Sequence, residues 1–361
     1  MKKYQINEDI TEAETLPSEF YRSQEVYDAL IEKVFARSWQ WIGDSTSLDL
    51  DRSMRPFYFL EFGLEEPMLL TRSGDEINCL SNVCTHRGNI LCHHTTKARN
   101  ITCAYHGRRF GLDGEFLHMP EFQEAEDFPR PEDHLHRFPL KQWGNWLFTS
   151  LEDSFEFDEV LEAMNRKVGF LPLGDMKEDK SRNKDYLINT HWALYCDNYL
   201  EGFHIPFVHD GLNEVLDYGK YKTELFANGN VQIGYSKGGE HTFDLPESHE
   251  DFGEEVSAYY FWVFPNMMFN FYPWGCSINV VKPIALNRTK VSFITYVLDE
   301  SKLDTGAGAA IDRVEREDEF VVEGVFKGMS SRVYKTGRFS PKMEKGVHQF
   351  QGLLAEWLAR K

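Results

Sequence analysis

The sequence has too few basic residues, and too little continuous apolar sequence, for a nucleic-acid or membrane protein. Among its 361 residues, 39 lysines and arginines stand against 58 aspartates and glutamates, a formal net charge of −19. A chain this acidic repels phosphate backbones and anionic lipid. No uninterrupted apolar run approaches the roughly 18 residues of a membrane span. We therefore expect a protein that binds neither nucleic acid nor membrane.

The sequence also shows no disulfide pattern and no nicotinamide-binding fingerprint. Its six cysteines lack the spacing of a disulfide framework, and the residues after Lys2 and Lys3 are mostly polar, unlike a secretory signal. These features predict free thiols in a reducing, cytoplasmic compartment. No Gly-x-Gly-x-x-Gly follows a predicted strand. NAD(P)H would therefore act only indirectly, through a separate protein.

Two short motifs each combine one cysteine with one histidine, as Cys84-x-His86 and Cys103-x-x-His106. Thiolates and imidazoles bind iron, zinc or copper. The four side chains could hold one tetrahedral zinc ion, or a two-iron, two-sulfur cluster in which two histidines replace two cysteines on one iron. Zinc fingers usually separate the cysteine pair from the histidine pair. Mixed pairs favour the cluster, because each loop can then give one ligand to each iron.

A second group of candidate ligands lies at Asp197, Glu201, His204 and His209. If residues 197–205 form one helix, the first three of these share a face. Pro206 would distort or end that helix and let His209 turn back toward His204. Two histidines and one carboxylate form the facial triad of non-haem iron(II), which leaves coordination positions open for oxygen.

The carboxylate of such a triad has to come from elsewhere, and the acidic segment 315–319 offers candidates. This segment lies on a predicted helix from Ile311 to about Met329. Helical spacing places Asp318 on one stripe with four apolar residues: Val314, Val321, Val325 and Met329. A buried carboxylate needs a partner or a metal. Asp318 is therefore predicted as the third ligand, with Asp312 as the alternative.

Periodicity divides the chain into three parts. Residues 1–39 are predicted as an arm and a helix, capped by Ser23, that pack with the catalytic domain. Residues 40–150 contain short strands with the cysteine–histidine pairs at their ends, which predicts a small β domain. Residues 151–361 contain long strands at 226–235, 259–271, 277–283 and 290–298 and a last helix over Glu344–Leu358. These strands indicate one broad antiparallel sheet.

Both metal motifs resemble those of the Rieske non-haem iron oxygenases. The first includes Arg87-Gly88 and Tyr105-His106-Gly107, and the second covers residues 197–209. The resemblance runs from about residue 39 to residue 357 and identifies the chain as a catalytic α subunit of the ring-hydroxylating oxygenase family. It implies an α+β fold, in which a Rieske β domain is joined to a helix-grip, START-like catalytic domain with a large antiparallel sheet.

The resemblance also implies cofactors, partners and residue roles. A 2Fe–2S cluster would take Cys84, His86, Cys103 and His106, and Fe(II) would take His204, His209 and Asp318. O2 would be the co-substrate, and a flavin-containing reductase, a ferredoxin or both would supply electrons from NAD(P)H. The family is usually homotrimeric, with the cluster of one subunit beside the iron of the next. Glu201 would then bridge His204 to His106 of the partner subunit, and Asp197 would lie close to the iron.

Within the family, the resemblance is closest to the choline monooxygenase-like branch, over segments 197–202, 264–272 and 317–325. That branch hydroxylates or oxidatively N-demethylates quaternary ammonium compounds such as choline, betaines and carnitine. Aromatic faces bind such cations by cation–π attraction, and the candidates for a cage are Phe203, Phe207, Phe269, Phe271, Tyr272 and Trp274. Asn198 and Ile205 are predicted to line the substrate pocket, together with Phe207 and Phe269.

Other functions stay open at this point. An oxygenase of aromatic rings or aromatic acids would use the same metals with an apolar pocket. A Rieske protein that only transfers electrons would need neither the second motif nor the long region after the cluster domain. A zinc-bound structural module would carry no catalysis.

Overall fold

The computed structural model of the chain describes residues 2–152, 154–238, 241–304 and 311–360. The chain divides into two compact units, one formed by Met1–Phe35 with Phe155–Lys361 and the other by Ala36–Ser154. The second unit is thus an insertion, and its limits fall four residues outside the predicted 40–150 at either end. In the described ranges, no helix has both the length and the apolar character that a membrane crossing requires.

The inserted unit is built from short antiparallel strands. They are β1 (Gln40–Asp44), β2 (Ser53–Phe59), β3 (Glu66–Ser73), β4 (Glu76–Ser81), β5 (Thr96–Lys97), β6 (Ile101–Thr102), β7 (Arg109–Phe110), β8 (Phe116–His118), β9 (Arg137–Phe138), β10 (Leu140–Trp143) and β11 (Trp146–Thr149). They form three sheets, in the orders β5-β2-β3-β4-β9, β6-β7-β8 and β1-β11-β10. Cys84 and Cys103 follow β4 and β6 and belong to the buried core of this unit.

The other unit is organised around one eight-stranded antiparallel sheet, as the long strands predict. Its strands are β12 (Lys177–Glu178), β13 (Lys184–Ile188), β14 (Lys222–Phe226), β15 (Gly229–Tyr235), β16 (Val256–Val263), β17 (Met267–Tyr272), β18 (Gly275–Ala285) and β19 (Arg288–Val297). Their order is β12-β19-β18-β17-β16-β15-β14, and β13 also pairs with β19.

Tight turns change the bounds of two of the predicted long strands. Asn228 has a positive φ of 57° between β14 and β15, a turn conformation that Asn tolerates better than most residues. Pro265 follows β16 and has no N–H to offer a strand partner. The predicted segment 259–271 is therefore a hairpin of β16 and β17, whereas the predicted segment 226–235 corresponds to β15 and the turn before it.

The α-helices of this unit are, in chain order, α1 (Gln24–Lys33), α2 (Phe157–Val168), α3 (Trp192–Tyr199), α4 (Ile205–Val208), α5 (Asp210–Val215), α6 (Ile311–Gly328) and α7 (Lys345–Ala359). The first and last confirm the sequence predictions. The Ser23 hydroxyl accepts the N–H of Val26 at 3.3 Å and so caps α1. The predicted apolar face of α7, formed by Val347, Phe350, Leu354 and Trp357, is buried.

The buried face of α6 differs from the predicted stripe. Glu315 and Val322 are its most buried residues, whereas Val325 is 41% exposed and Asp318 is half-buried. The prediction rested on helical spacing alone. Glu315 can be buried because the Tyr195 hydroxyl on α3 donates to its Oε2 at 2.6 Å. Asp318 consequently lies at the edge of this face rather than at its centre.

A buried carboxyl connects α3 with two segments that are distant in sequence. The hydroxyl of Tyr21 donates to Asp197 Oδ2 at 3.0 Å, and Gln351 Nε2 donates to both oxygens at 3.1 Å. Gln351 Oε1 in turn accepts the N–H of Leu16 at 2.7 Å. Burial raises the pKa of Asp197 to about 7, because it outweighs the hydrogen bonds from Gln351 and Tyr21.

Asp197→Asn should change how the free energy of unfolding depends on pH. The folded protein keeps a proton on Asp197 up to about pH 7, whereas an unfolded aspartate loses it near pH 3.8. Stability therefore falls between these values as pH rises. From pH 5 to pH 7 the variant should gain about 2 kcal/mol relative to wild type in urea unfolding.

Tyr21→Phe is the control for this experiment, since it removes a donor and keeps the carboxyl. We expect this variant to retain the fall of stability with pH. Parallel stability curves for wild type and Asp197→Asn would contradict the prediction.

Candidate functional site

The two cysteine–histidine loops repeat one backbone pattern. The N–H of Cys84 donates to the carbonyl of Asn89, and the N–H of Cys103 donates to the carbonyl of Arg108, each five residues later and each at 2.8 Å. This equivalence holds although the histidine follows its cysteine by two residues in one loop and by three in the other. The chain therefore presents its two pairs of ligands on two loops of the same construction.

Gly88 and Gly107 close these loops. The N–H of each donates to the carbonyl of the cysteine four residues earlier, at 2.9 and 3.0 Å. Their φ values are 69° and 73°, in the left-handed region that glycine enters without steric cost. This is the physical reason for the glycine in each motif.

The sulfurs lie inside the unit and the imidazoles lie toward its surface. Cys84 and Cys103 are 2% and 3% exposed, whereas His86 is half-buried and His106 is exposed. The two imidazole centroids are 4.8 Å apart. Two buried thiols and two neighbouring imidazoles are the donor set of a Rieske-type 2Fe–2S cluster, so these residues fit that group.

Backbone N–H groups act on both sulfurs. Burial raises the pKa of the Cys84 thiol, although the N–H groups of His86 and Arg87 favour the thiolate. At Cys103, burial is outweighed by hydrogen bonds, first of all from the N–H of Tyr105, and the pKa lies below its usual value. Such N–H···S bonds are among the factors that set the reduction potential of an iron–sulfur cluster.

A buried ion pair, which sequence analysis did not identify, joins the two loops. Arg108 is 2% exposed and donates to Asp133 Oδ1 at 2.6 Å and to its carbonyl at 3.1 Å. The Thr85 hydroxyl donates to the same carbonyl at 2.9 Å. The guanidinium also lies 5.0 Å from the ring centroid of Phe116. Asp133 thereby fixes a residue of each ligand loop.

The second candidate metal site lies in the other unit, where His204, His209 and Asp318 come together. Each offers a ligand atom, and these atoms all lie within 4.8 Å of one another. Asp318 Oδ1 is 3.1 Å from His209 Nε2 and 3.5 Å from His204 Nε2. Two imidazoles and one carboxylate suit non-haem iron(II). Asp312, the alternative ligand, instead contacts Lys184 at 2.9 Å and Tyr186 at 2.7 Å.

The loop that carries these histidines is not the predicted helix. The helix α3 ends at Tyr199, so residues 197–205 share no common helix face. The Glu201 carboxylate accepts the N–H groups of Phe203 and His204, the latter at 3.1 Å, and so stabilises the turn before α4. Pro206 lies in the first turn of α4, where its missing N–H costs nothing, rather than ending a helix.

Each imidazole contacts a carboxylate through its Nδ1 atom. His204 Nδ1 is 2.6 Å from Glu201 Oε1, and His209 Nδ1 is 2.8 Å from Glu317 Oε2. Arg313 donates to the other oxygen of Glu317 at 2.9 Å. Contacts of this kind fix the orientation and tautomer of metal-binding histidines. Although burial opposes it, the carboxylates of Asp318 and Glu317 raise the pKa of His209.

The contact of Glu317 with His209 was not predicted from the sequence, and Asp197 makes contacts that were not predicted either. Glu317 stands in an acidic run, where residue type gave no sign that it contacts a histidine. Asp197, predicted close to the iron, binds Tyr21 and Gln351 instead and does not line the cavity described next. Asn198 is nearer the ligands, because its Nδ2 donates to Asp318 Oδ1 at 2.7 Å.

A cavity opens beside the three ligands, and tyrosines dominate its wall. Asn198 and Ile205, both predicted to line a pocket, lie on this wall. The aromatic side chains that line it are Tyr195, Tyr199, Tyr221, Tyr260, Tyr272 and Phe293. Gly202 lets one of them approach closely, since a Cβ there would lie 2.6 Å from the Tyr221 ring.

Most of the predicted aromatic cage lies elsewhere. On β17, Asn270 and Tyr272 line the cavity, whereas Phe269 alternates with them and so faces the opposite side of the sheet. The same alternation applies to Phe271, and both phenylalanines are fully buried. Phe207 is 79% exposed and does not line the cavity.

The other two aromatics of the predicted cage, Phe203 and Trp274, are also absent from this wall. Phe203 is 42% exposed. Trp274 lines a neighbouring cavity and stacks on Tyr272, with centroids 5.1 Å apart. Of the six predicted cage residues, Tyr272 alone therefore lines the cavity beside the ligands.

Glu315 is a carboxyl group in the same wall. Its Oε2 accepts the Tyr195 hydroxyl, while its Oε1 is buried and has no hydrogen-bond partner among the described residues. Burial raises the pKa of Glu315 to about 8, and the negative charge of Asp318 adds to this effect. The stripe predicted through Asp318 did not include Glu315.

Two family models match the chain. The Rieske [2Fe-2S] domain matches residues 38–132, and the catalytic domain of the ring hydroxylating alpha subunit matches residues 173–360. Choline monooxygenase from Arabidopsis thaliana chloroplasts is 31% identical, over 95% of this chain and 82% of that protein. The carnitine monooxygenase oxygenase subunit of Escherichia coli K12 is 28% identical, over 96% of this chain and 94% of that one.

Solved structures share the fold. The quaternary ammonium Rieske monooxygenase CntA in complex with L-carnitine has a TM-score of 0.75 at 23% identity, covering 99% of both chains. Naphthalene 1,2-dioxygenase with bound indole has a TM-score of 0.70 at 15% identity, covering 99% of this chain and 95% of that one. These matches agree with an α+β protein that contains a Rieske domain and a catalytic domain with a large antiparallel sheet.

Glu317→Gln should weaken iron binding at the second site and leave the cluster intact. An amide would support His209 less strongly than a carboxylate, and losses of roughly 10- to 100-fold in metal affinity are typical for such contacts. Iron titration of the metal-depleted site, followed by calorimetry, measures the affinity, and visible absorption monitors the cluster.

Glu319→Gln is the matched control. Glu319 lies two residues further along α6 and pairs with Arg316 at 3.4 Å instead of a histidine. Its substitution should leave iron affinity unchanged. Equal iron affinities for both variants would show that Glu317 does not support the metal site.

Proposed function

Because this chain belongs to the Rieske-type ring-hydroxylating oxygenases, we propose that it hydroxylates or oxidatively N-demethylates a small quaternary ammonium compound related to choline, betaine or carnitine. Membership makes it an oxidoreductase that uses O2 and a reduced electron donor. Its family cofactors are a Rieske 2Fe–2S cluster and non-haem iron. The proposal concerns the substrate and the residues that serve it.

This proposal rests on the tyrosine side chains that line the cavity beside His204, His209 and Asp318. A quaternary ammonium ion cannot donate a hydrogen bond, and aromatic faces attract it through their negative electrostatic potential. Relatives along nearly the whole chain are a choline and a carnitine monooxygenase, which supports the same substrate class. A pocket for unsubstituted aromatic rings is expected to have fewer hydroxyl and amide groups in its wall than this cavity has.

The residues have distinct tasks in this proposal. When bound, the cluster supplies single electrons, and the iron supplies the activation of O2. His204, His209 and Asp318 hold the metal, and Glu201 and Glu317 orient the two imidazoles. The amide of Asn198 fixes the Asp318 carboxylate at 2.7 Å. The tyrosines position the substrate and limit the access of water.

The assembly and the electron donor are also proposals. We propose a homotrimer in which Glu201 links His204 to His106 of the partner subunit. His106 is exposed and Glu201 already contacts His204, which is compatible with this link. A flavin-containing reductase, a ferredoxin or both would deliver electrons from NAD(P)H. We place the reaction in the cytoplasm, where the four buried cysteines other than Cys84 and Cys103 stay reduced.

Binding to the iron-replete protein tests the substrate class. Under anaerobic conditions, the EPR signal of the nitric oxide adduct of the mononuclear iron reports ligands beside it. We expect choline, glycine betaine or carnitine to perturb this signal, and turnover with that compound to release an aldehyde or formaldehyde. Perturbation by benzoate and indole alone would overturn the proposal and indicate a ring hydroxylase.

When saturated with iron, Glu201→Gln should show both metal signals and slow the transfer of electrons between the two sites. Neutralising the carboxylate weakens its contact with His204, and roughly 10- to 100-fold is the usual size of such an effect. Single-turnover oxidation of the reduced cluster measures the rate. Glu214→Gln, at an exposed position on α5, is the control. Full turnover coupled to product in Glu201→Gln would exclude the proposed link.

A further inference from the structure

Three carboxyl groups line the cavity, and two of them are already engaged. Asp318 is held by His204, His209 and Asn198 through Oδ1. Glu201 contacts His204 and accepts two backbone N–H groups. The third carboxyl, Glu315, receives one hydrogen bond, from Tyr195, and keeps a buried oxygen without a partner among the described residues.

No basic side chain of the described residues pairs with Glu315. It is 3% exposed, and Arg316, its neighbour on α6, points outward, is 65% exposed and contacts Glu319. Lys184, the cation on the adjacent strand β13, pairs with Asp312. A buried carboxyl without a counter-ion keeps its proton, and a positive charge beside it favours the ionised form. Since Glu315 lines the cavity, a bound molecule can supply that charge.

We propose that Glu315 determines the preference of this site for a cation, as the side chain that becomes the anionic side of the pocket when the ammonium headgroup binds. This inference rests on the proposed function, since it assigns one residue to the recognition of that substrate class. A headgroup whose nitrogen carries only carbon substituents has no N–H to donate. It therefore needs no hydrogen-bond acceptor in a fixed direction. A nearby carboxylate attracts it electrostatically while the tyrosine rings contact its methyl groups.

The alternative is that Glu315 only anchors Tyr195 through their hydrogen bond. The two roles differ in what they predict for an uncharged ligand of the same shape. An anchoring residue affects charged and uncharged ligands equally, because it acts through the position of a wall. A charge-selecting residue affects the charged ligand alone.

The experiment compares choline with 3,3-dimethylbutan-1-ol, in which carbon replaces the charged nitrogen. Calorimetry on iron-replete, anaerobic holoenzyme gives both dissociation constants. Wild type should bind choline more tightly than the alcohol. Glu315→Gln should weaken choline binding at least about tenfold and change binding of the alcohol by less than about twofold. In turnover with choline, KM should rise far more than kcat falls.

Two further variants separate charge from structure. Glu315→Asp keeps the charge and should retain the preference for choline even if both ligands bind more weakly. Glu319→Gln alters a carboxyl on the same helix that does not line the cavity and should behave as wild type. Iron content and the cluster spectrum check that each variant is intact.

The possible outcomes are distinct. If Glu315→Gln keeps the wild-type ratio between the two dissociation constants, or loses both ligands equally, Glu315 does not select charge and this inference is wrong while the proposed function stands. If wild type binds neither choline, glycine betaine nor carnitine, the proposed function itself fails. Loss of choline preference in Glu315→Gln, with retention in Glu315→Asp, supports the inference.

Discussion

The catalytic unit depends on the approach of Asp318 to the Nε2 atoms of two histidines that come from a different part of the chain. Since α6 brings the carboxylate and the loop after α3 brings the imidazoles, neither segment forms the site by itself. Glu201 and Glu317 keep both rings turned toward Asp318. The acidic surroundings that result are costly without a cation, and a divalent metal relieves that cost.

The cavity wall is likewise formed by side chains from several separate segments of the chain. Sheet strands supply side chains at alternate positions, so β17 offers Asn270 and Tyr272 to the cavity and turns its phenylalanines away. The wall is thus aromatic and polar together. Such a surface suits a small cation that carries a hydroxyl or carboxylate group better than it suits a hydrocarbon. Choline and carnitine, after which two relatives of this chain are named, are cations of this kind.

The candidate ligands that the sequence grouped also lie together in the structure, because ligand types at short fixed spacings carry chemical meaning by themselves. The sequence was also sufficient for the antiparallel sheet and for α1 and α7, where periodicity and a serine cap agree. Prediction from the sequence failed where contacts between distant segments determine which side chains are buried and what they contact. Helical phase alone could not show that Tyr195 makes burial of Glu315 possible, and no pattern distinguished Glu317 from neighbouring surface glutamates. For the predicted cage residues on β17, the sequence showed that they are aromatic but not which face of the sheet each side chain lies on.

The inserted position of the cluster unit has a consequence for synthesis on the ribosome. Residues 36–154 are complete long before the sheet of the surrounding unit has been translated, and domains generally fold as units while the chain grows. The N-terminal arm, in contrast, has to wait, because Leu16 finds its acceptor only in Gln351 of the last helix. The cell can therefore assemble the iron–sulfur cluster on a nascent chain whose mononuclear iron site does not yet exist.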